Sequence, residues 1–322
     1  MQLNPVLYSR QGTVEKIVKK IGILARQGVQ FVTFPEAVVP YYPYFSFVQP
    51  AYALEKEHQR LLEQSVLIPS AETRAISEAA KAAGMVVSVG VNEREGRSLY
   101  STQLLFDSDG TLIQRRRKIT PAYHERMIWG QGDATGLCTV DSAVGRIGQL
   151  AGAEHNLPLA RYALLADGEQ IHSALYPGSV AGPLFAEQSE MNIRQHALEG
   201  ACFVVCASAW LDAKQQSQIM RDTNCSVGPI SGGCFTAIIS PDGQIHCGPL
   251  NGGEGEAIAD LDFAQIECRK RLMDAGGHYS RPEVLRLLVD RTSAPPLHEP
   301  TARSKVVALR TGVDEPRAIE IL

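Results

Sequence analysis

Hydrophobic positions in this chain switch repeatedly between a helical period and short, nearly continuous apolar runs. Val14, Ile17, Val18, Ile21, Leu24 and Ala25 fall on one helical face, which predicts an amphipathic helix over Gly12 to Gly28, with Thr13 as N-cap and Gly28 as stop. VQFVTF then reads as a strand buried on both sides, and Glu36 stands at its carboxyl end. A second helix from about Ser70 to Gly84 leads into the strand MVVSVGV and a hairpin, LYSTQLLF and TLIQRRRK, turned by DSDG. The order repeats later. A helix from about Phe185 to Gly200 precedes the strand CFVVCASAW, and CFTAIIS and QIHC are joined by PDG. Antiparallel hairpins among sequential helices do not suit a plain doubly wound sheet. They predict an α/β four-layer αββα sandwich, two sheets packed face to face with helices outside.

The chain of 322 residues is long enough to bury a substantial core. A hydrophobic share of 44%, a charged share of 20% and a net charge of −4 exclude a polyanion-binding composition, so no nucleic-acid partner is expected. The one basic cluster, Arg115 to Lys118, reads as a strand end with a solvated face. No apolar run approaches about 18 residues and no leader pattern opens the chain, so the expectation is a cytoplasmic protein without membrane contact. The seven cysteines lack CxxC spacing and read as reduced, buried thiols; neither metal nor cofactor is expected. No linker interrupts residues 1–290, which are read as one domain. Residues 291–322 read as a tail that docks on a neighbouring subunit or is partly mobile, with KVVALRT as an edge strand. The opening MQLNPV resembles the second half of a strand whose beginning is missing.

Candidate chemistry gathers at strand ends, where loops vary over a rigid base. Glu36, Lys118 and Gly152 all occupy such ends, and a carboxylate beside a lysine suits activation of a nucleophile and stabilisation of developing negative charge. Taken singly, Glu36 and Lys118 are far more readily explained as surface residues. Their combination with longer motifs is more specific.

FPEAVVPYYPYFSF, RRRKITPAYHERMIWGQGD, EHNLPLARYAL, LEGACFVVCASAW, SGGCFTAIISPDG and GHYSRPEVL together resemble the nitrilase branch of the nitrilase/amidase superfamily, above all the bacterial aliphatic nitrilases. The resemblance implies Glu36 as general base, Lys118 as stabiliser of the intermediates and Glu125 as second carboxylate. It also implies a nucleophilic cysteine two residues before Glu154, where this chain has Gly152. None of the seven cysteines ends that strand. Ala153 replaces a common aromatic, which should enlarge the pocket, Ala122 replaces a common Thr, and the first strand of relatives starts earlier than Met1. The substrate implied is a small organic nitrile, hydrolysed through a thioimidate and a thioester, with substrate contacts expected from Tyr42, Trp129, Ala153, Glu154 and His155. Tyr42 serves equally well as packing, and His124 and His155 are expected in hydrogen-bonding rather than base roles. Arg161 is expected in an ion pair. The resemblance also implies homodimers and larger spirals or filaments. Three functions stay open: a nitrilase deprived of its nucleophile, a natural pseudoenzyme kept for binding or assembly, or a superfamily amidase or carbamoylase.

Overall fold

In the computed structural model, residues 1–293 are described, apart from 181 and 226–229. One sheet has four strands in the order β1-β2-β3-β4: β1 (Phe31–Thr33), β2 (Val86–Glu95), β3 (Ser98–Phe106) and β4 (Leu112–Arg117). The other has six, in the order β10-β9-β8-β7-β6-β5: β5 (Val140–Ser142), β6 (Gly145–Ala151), β7 (Ile171–Tyr176), β8 (Phe203–Ser208), β9 (Thr236–Ile239) and β10 (Ile245–Leu250). Parallel pairing joins β1 to β2 and runs through β6, β7 and β8, while the hairpins are antiparallel. The first half carries the helices α1 (Arg10–Ala25), α2 (Phe45–Val48), α3 (Glu55–Gln64) and α4 (Ala71–Ala83). The second carries α5 (Pro158–Ala166), α6 (Gly182–Gly200), α7 (Ala213–Asp222) and α8 (Ala264–Leu272).

The expected four layers are present. Val86 and Leu105 of the first sheet pack against Ile147 and Ile171 of the second. Between the sheets the small polar side chains of Thr33, Ser88, Ser173 and Gln149 satisfy one another, with Thr33 Oγ1 3.0 Å from Ser173 Oγ and Ser173 Oγ donating to Ser88 at 2.8 Å. On the outer face of the first sheet, α1 and α4 bury Ile17, Ile21, Leu24, Ile76 and Ala80 against Val87 and Val89. On the outer face of the second, α6 packs Ile193 and Ala197 onto Val204 and Ala237. Leucine-sized side chains buried this way contribute roughly 1.5–3 kcal/mol each.

The segment from Ser70 to Gly84 folds as its sequence predicts, with Ser70 and Thr73 capping α4 reciprocally. The first helix differs at both ends. Ser9 caps it by accepting from the Gly12 N–H, and it stops at Ala25, short of Gly28. Thr13 is buried inside the first turn, its hydroxyl tied to the backbone of Val6 and Pro40. The opening segment forms only isolated bridges, Gln2 with Gly255 and Leu3 with Ala209.

The basic cluster also departs from expectation. Side chains alternate across β4, so Arg115 and Arg117 point to Glu93 near the surface while Arg116 and Lys118 point inward, each only 1% exposed. Burial of the cysteines holds for Cys202, Cys206 and Cys234, but Cys268 is exposed. No helix among the described residues is long and apolar enough to cross a membrane. Residues 294–322 of the tail expected to dock, with its expected edge strand at KVVALRT, lie outside the described residues.

Candidate active site

Glu36 lies in the loop that follows β1, and two features of β2 hold that loop. Gly90 lets it approach closely, since a β-carbon there would overlap the backbone of Pro35 and Ala37. Asn92 donates its amide to the carbonyls of Ala37, Val39 and Tyr41, at 2.9 Å in the last case, and accepts from Trp129 Nε1 at 2.9 Å. Glu36 is fully buried. Its Oε1 accepts from Lys118 Nζ at 2.7 Å and from Ser101 Oγ at 3.2 Å.

Lys118 directly follows β4 and is anchored by its own N–H on Ser101 O at 2.8 Å. Its ammonium also donates to both oxygens of Glu125, at 3.0 and 2.8 Å. Glu125 sits on a 3-10 turn over Tyr123–Met127, where Oε2 accepts from the Ala122 N–H at 2.6 Å and Oε1 from the Tyr42 hydroxyl at 2.8 Å. One ammonium therefore joins two buried carboxylates, a set with surplus negative charge away from bulk solvent. Burial pushes the Glu36 carboxyl up to about 7, with Lys118 opposing and Glu125 adding to the rise. Burial would lower the Lys118 ammonium, but Glu125 and Glu36 outweigh it and hold it above its ordinary value. Tyr42 is pushed up by burial and by the Glu125 and Glu36 carboxylates, so it stays a hydrogen-bond donor.

Gly152 directly follows β6 and opens a 3-10 turn, Gly152–Asn156, that leads into α5. Its φ of +46° lies in the left-handed region. A strand, a sharp turn and a helix also form the elbow that presents the nucleophile in α/β-hydrolases. Glu36 Oε2, buried and without a hydrogen-bond partner among the described residues, faces this turn. A β-carbon built on Gly152 would overlap that oxygen, so Glu36 would have to shift, and would lie 3.4 Å from Lys118 Nζ. Glu36, Lys118, Glu125 and position 152 are thus brought together from separate elements.

Two residues expected to contact substrate do not have free polar atoms for it. Glu154 is buried and saturated: it receives both Arg116 amino groups, at 2.8 and 2.7 Å, the Ile119 N–H at 2.7 Å and the Ala151 N–H at 3.0 Å. Despite burial, Arg116 keeps its carboxyl below the ordinary range. His155 is fully buried, stacked on Tyr176 at 4.9 Å, with Nδ1 2.8 Å from Gly152 O and Nε2 3.0 Å from His172 Nε2. Both hold the turn instead. Trp129 packs edge-on to Tyr42 and sets its face 5.7 Å from Lys118 Nζ. Ala153 is half-buried. Ser46 Oγ holds His124 Nδ1 at 2.8 Å, and Arg161 pairs with Glu199 at 2.5 Å, joining α5 to α6.

Sequence reasoning missed Asn92, Ser101, Arg116 and a buried group behind the turn, His172, Glu169 and His196. For Arg116 the signal was available in the two-residue period of β4. The others carry none, since a polar residue inside an apolar strand does not reveal its partner. Glu169 Oε1 lies 2.7 Å from His172 Nδ1 and Oε2 2.7 Å from His196 Nε2. Burial pushes His172 down to about 4, with Glu169 opposing; His172 and His196 hold Glu169 down to about 2 against burial. Among the described residues, Glu169, His196 and Cys202 form a metal-capable cluster, but the first two are already bonded to each other. A cavity of about 330 Å³ lies at the amino ends of β1 and β7, lined by Met1, Phe31, Val32, Ile171 and Phe263, and contains none of the site residues.

Comparison with known proteins adds to this geometry. Residues 1–271 match the family described as Carbon-nitrogen hydrolase. The chain is 66% identical over 304 residues to Nitrilase 3 of an unknown prokaryotic organism, covering 94% of this chain and 92% of that one. It is 35% identical over 327 residues to an aliphatic nitrilase of Rhodococcus rhodochrous, covering 99% and 89%. The crystal structure of a carbon-nitrogen hydrolase from Helicobacter pylori G27 superposes with a TM-score of 0.69 at 17% identity, over 85% of this chain and 91% of that one, a likeness of fold.

Proposed function

The chain belongs to the carbon-nitrogen hydrolase family, and from that premise we propose that its site is that of a nitrilase, with Gly152 at the position of the attacking cysteine. The observation that carries this reading is the orientation of Glu36 Oε2, a buried base without a hydrogen-bond partner among the described residues, aimed at the β-carbon position of residue 152. A thiol there would give its proton to Glu36, whose elevated pKa suits a base working near neutrality. The thiolate would attack the nitrile carbon and form a thioimidate. Water then adds, ammonia leaves, and the remaining thioester is hydrolysed to the carboxylic acid. Lys118 and the N–H of Ala153 would stabilise negative charge on the tetrahedral intermediates, an effect worth about 3–4 kcal/mol per donor. Glu125 would orient Lys118 and the substrate.

Gly152 supplies no atom for the covalent step. Loss of a nucleophile from such a set costs on the order of a millionfold in turnover. The chain with Gly152 is therefore a nitrile-binding protein with almost no turnover. Ammonia release from nitriles, measured beside Gly152→Cys, tests this: the variant should exceed the parent by several orders of magnitude, and equal rates would overturn the assignment of residue 152. Room beside Ala153 should admit bulkier nitriles, a range that Ala153→Trp in the Gly152→Cys background should narrow.

The working form on this reading is a cytoplasmic homodimer or larger assembly. Leu159 of α5 and Leu184 and Met191 of α6 are each at least 60% exposed, apolar area that a second copy would cover. Size-exclusion chromatography at micromolar concentration should give at least a dimer; a monomer would refute it.

A further inference from the structure

Behind the turn at residue 152 runs an unbroken chain of buried contacts: Gly152 O to His155 Nδ1 at 2.8 Å, His155 Nε2 to His172 Nε2 at 3.0 Å, His172 Nδ1 to Glu169 Oε1 at 2.7 Å, and Glu169 Oε2 to His196 Nε2 at 2.7 Å. All four side chains are fully buried. Each contact needs one proton, because a carbonyl and a carboxylate only accept. Four contacts need four protons, and three neutral imidazoles carry three. The fourth must be an additional proton held among His155, His172 and Glu169, which makes the whole set neutral and so tolerable in a dry interior. Burial alone would leave both central rings uncharged. With Glu169 ionised as well, that state would set lone pair against lone pair in one of the contacts; the Glu169 carboxylate beside His172 opposes the effect of burial on that ring, so the geometry requires the extra proton within the set.

The end of this chain matters most. Gly152 O and the Ala153 N–H belong to one planar trans peptide, so fixing the carbonyl fixes the N–H in the opposite direction. The same bond polarises that peptide and makes its N–H a stronger donor. We propose that His155, held in its Nδ1–H form by His172 and Glu169, is a positioning residue that aims the Ala153 N–H at the developing negative charge and keeps the left-handed turn at residue 152. The groups facing this chain from other elements are Arg116, Tyr176, which stacks on His155, and Cys202 beside Glu169. The proposal deepens the nitrilase reading and rests on it for its catalytic part.

Nitrogen-15 spectra of histidine-labelled protein with Gly152 read the first half without any turnover. His155 should carry its proton on Nδ1 at pH 7; a neutral Nε2–H form would overturn the proposal. The second half is read in the Gly152→Cys enzyme, whose own nitrile turnover is the separate test of the nitrilase reading. There His155→Phe should lower kcat about 10- to 100-fold, the scale of a misaligned catalytic group, with KM nearly unchanged. His155→Asn, whose amide nitrogen reaches the place of Nδ1, should keep most of the turnover, while His155→Gln should not. Equal loss in the Asn and Phe variants, at equal melting temperature, would reduce His155 to a packing residue.

Discussion

Tyr42 donates its phenolic hydroxyl to Glu125 Oε1 at 2.8 Å, the same oxygen that Lys118 reaches at 3.0 Å. The aromatic segment after Glu36 is thereby tied to the turn that carries the second carboxylate. Tyr42→Phe removes this bond alone and leaves Glu125 paired with Lys118 and the Ala122 N–H. A buried hydrogen bond to a charged group contributes about 1.5–3 kcal/mol. Urea unfolding should show a loss of that size, and a change below about 0.5 kcal/mol would mean that the bond adds nothing to the fold.

Gly152→Cys should gain turnover and lose stability together. The left-handed φ of +46° disfavours any side chain, and Glu36 must turn aside to admit the β-carbon. Strain of this kind costs on the order of 1–3 kcal/mol. A lower melting temperature is expected for Gly152→Cys, and Gly152→Ala should show a comparable drop without the activity. A stability gain in both would show that the turn relaxes freely.

Arg116 and Glu154 form a bidentate pair that is almost completely buried. Removing one partner strands a buried charge, which costs about 3–5 kcal/mol. Arg116→Met should therefore unfold far more readily in chemical denaturation than the double variant Arg116→Met, Glu154→Leu. If the two are equally unstable, the charges are not what the site depends on.

Glu36 gives a pH dependence of definite sign. Its carboxyl sits at about 7 in the fold against an ordinary value of 4.5, so between those values the folded state binds more protons than the unfolded chain. Stability from this group is present below about pH 4.5 and is lost as pH rises through 7, on the order of 3 kcal/mol in all. Glu36→Gln cannot ionise and should gain stability relative to the parent across this window. Thermal melts from pH 5 to 8 read the difference, and parallel curves would contradict the elevated pKa.

Much of this molecule was legible in one dimension. Helical periodicity located α4, and turn residues marked the hairpins at DSDG and PDG, because these signals are local. Glu36, Lys118 and Gly152 could be placed at strand ends for the same reason. The roles of Glu154, His155 and Arg116 could not, since each is decided by partners far along the chain: Arg116 meets Glu154 across 38 positions, and Glu169 meets His196 across 27.

The amino-acid sequence by itself determined which segments become helices and strands and which charged residues end them, through side-chain periodicity and backbone preference. Only the tertiary structure decided that Glu36 Oε2 faces position 152 without a hydrogen-bond partner among the described residues, that one ammonium serves two carboxylates, and that Glu154 and His155 support the turn from behind. Those facts depend on desolvation and on distances of about 3 Å between separate elements, and burial of charge is priced only once the sheets have closed over it.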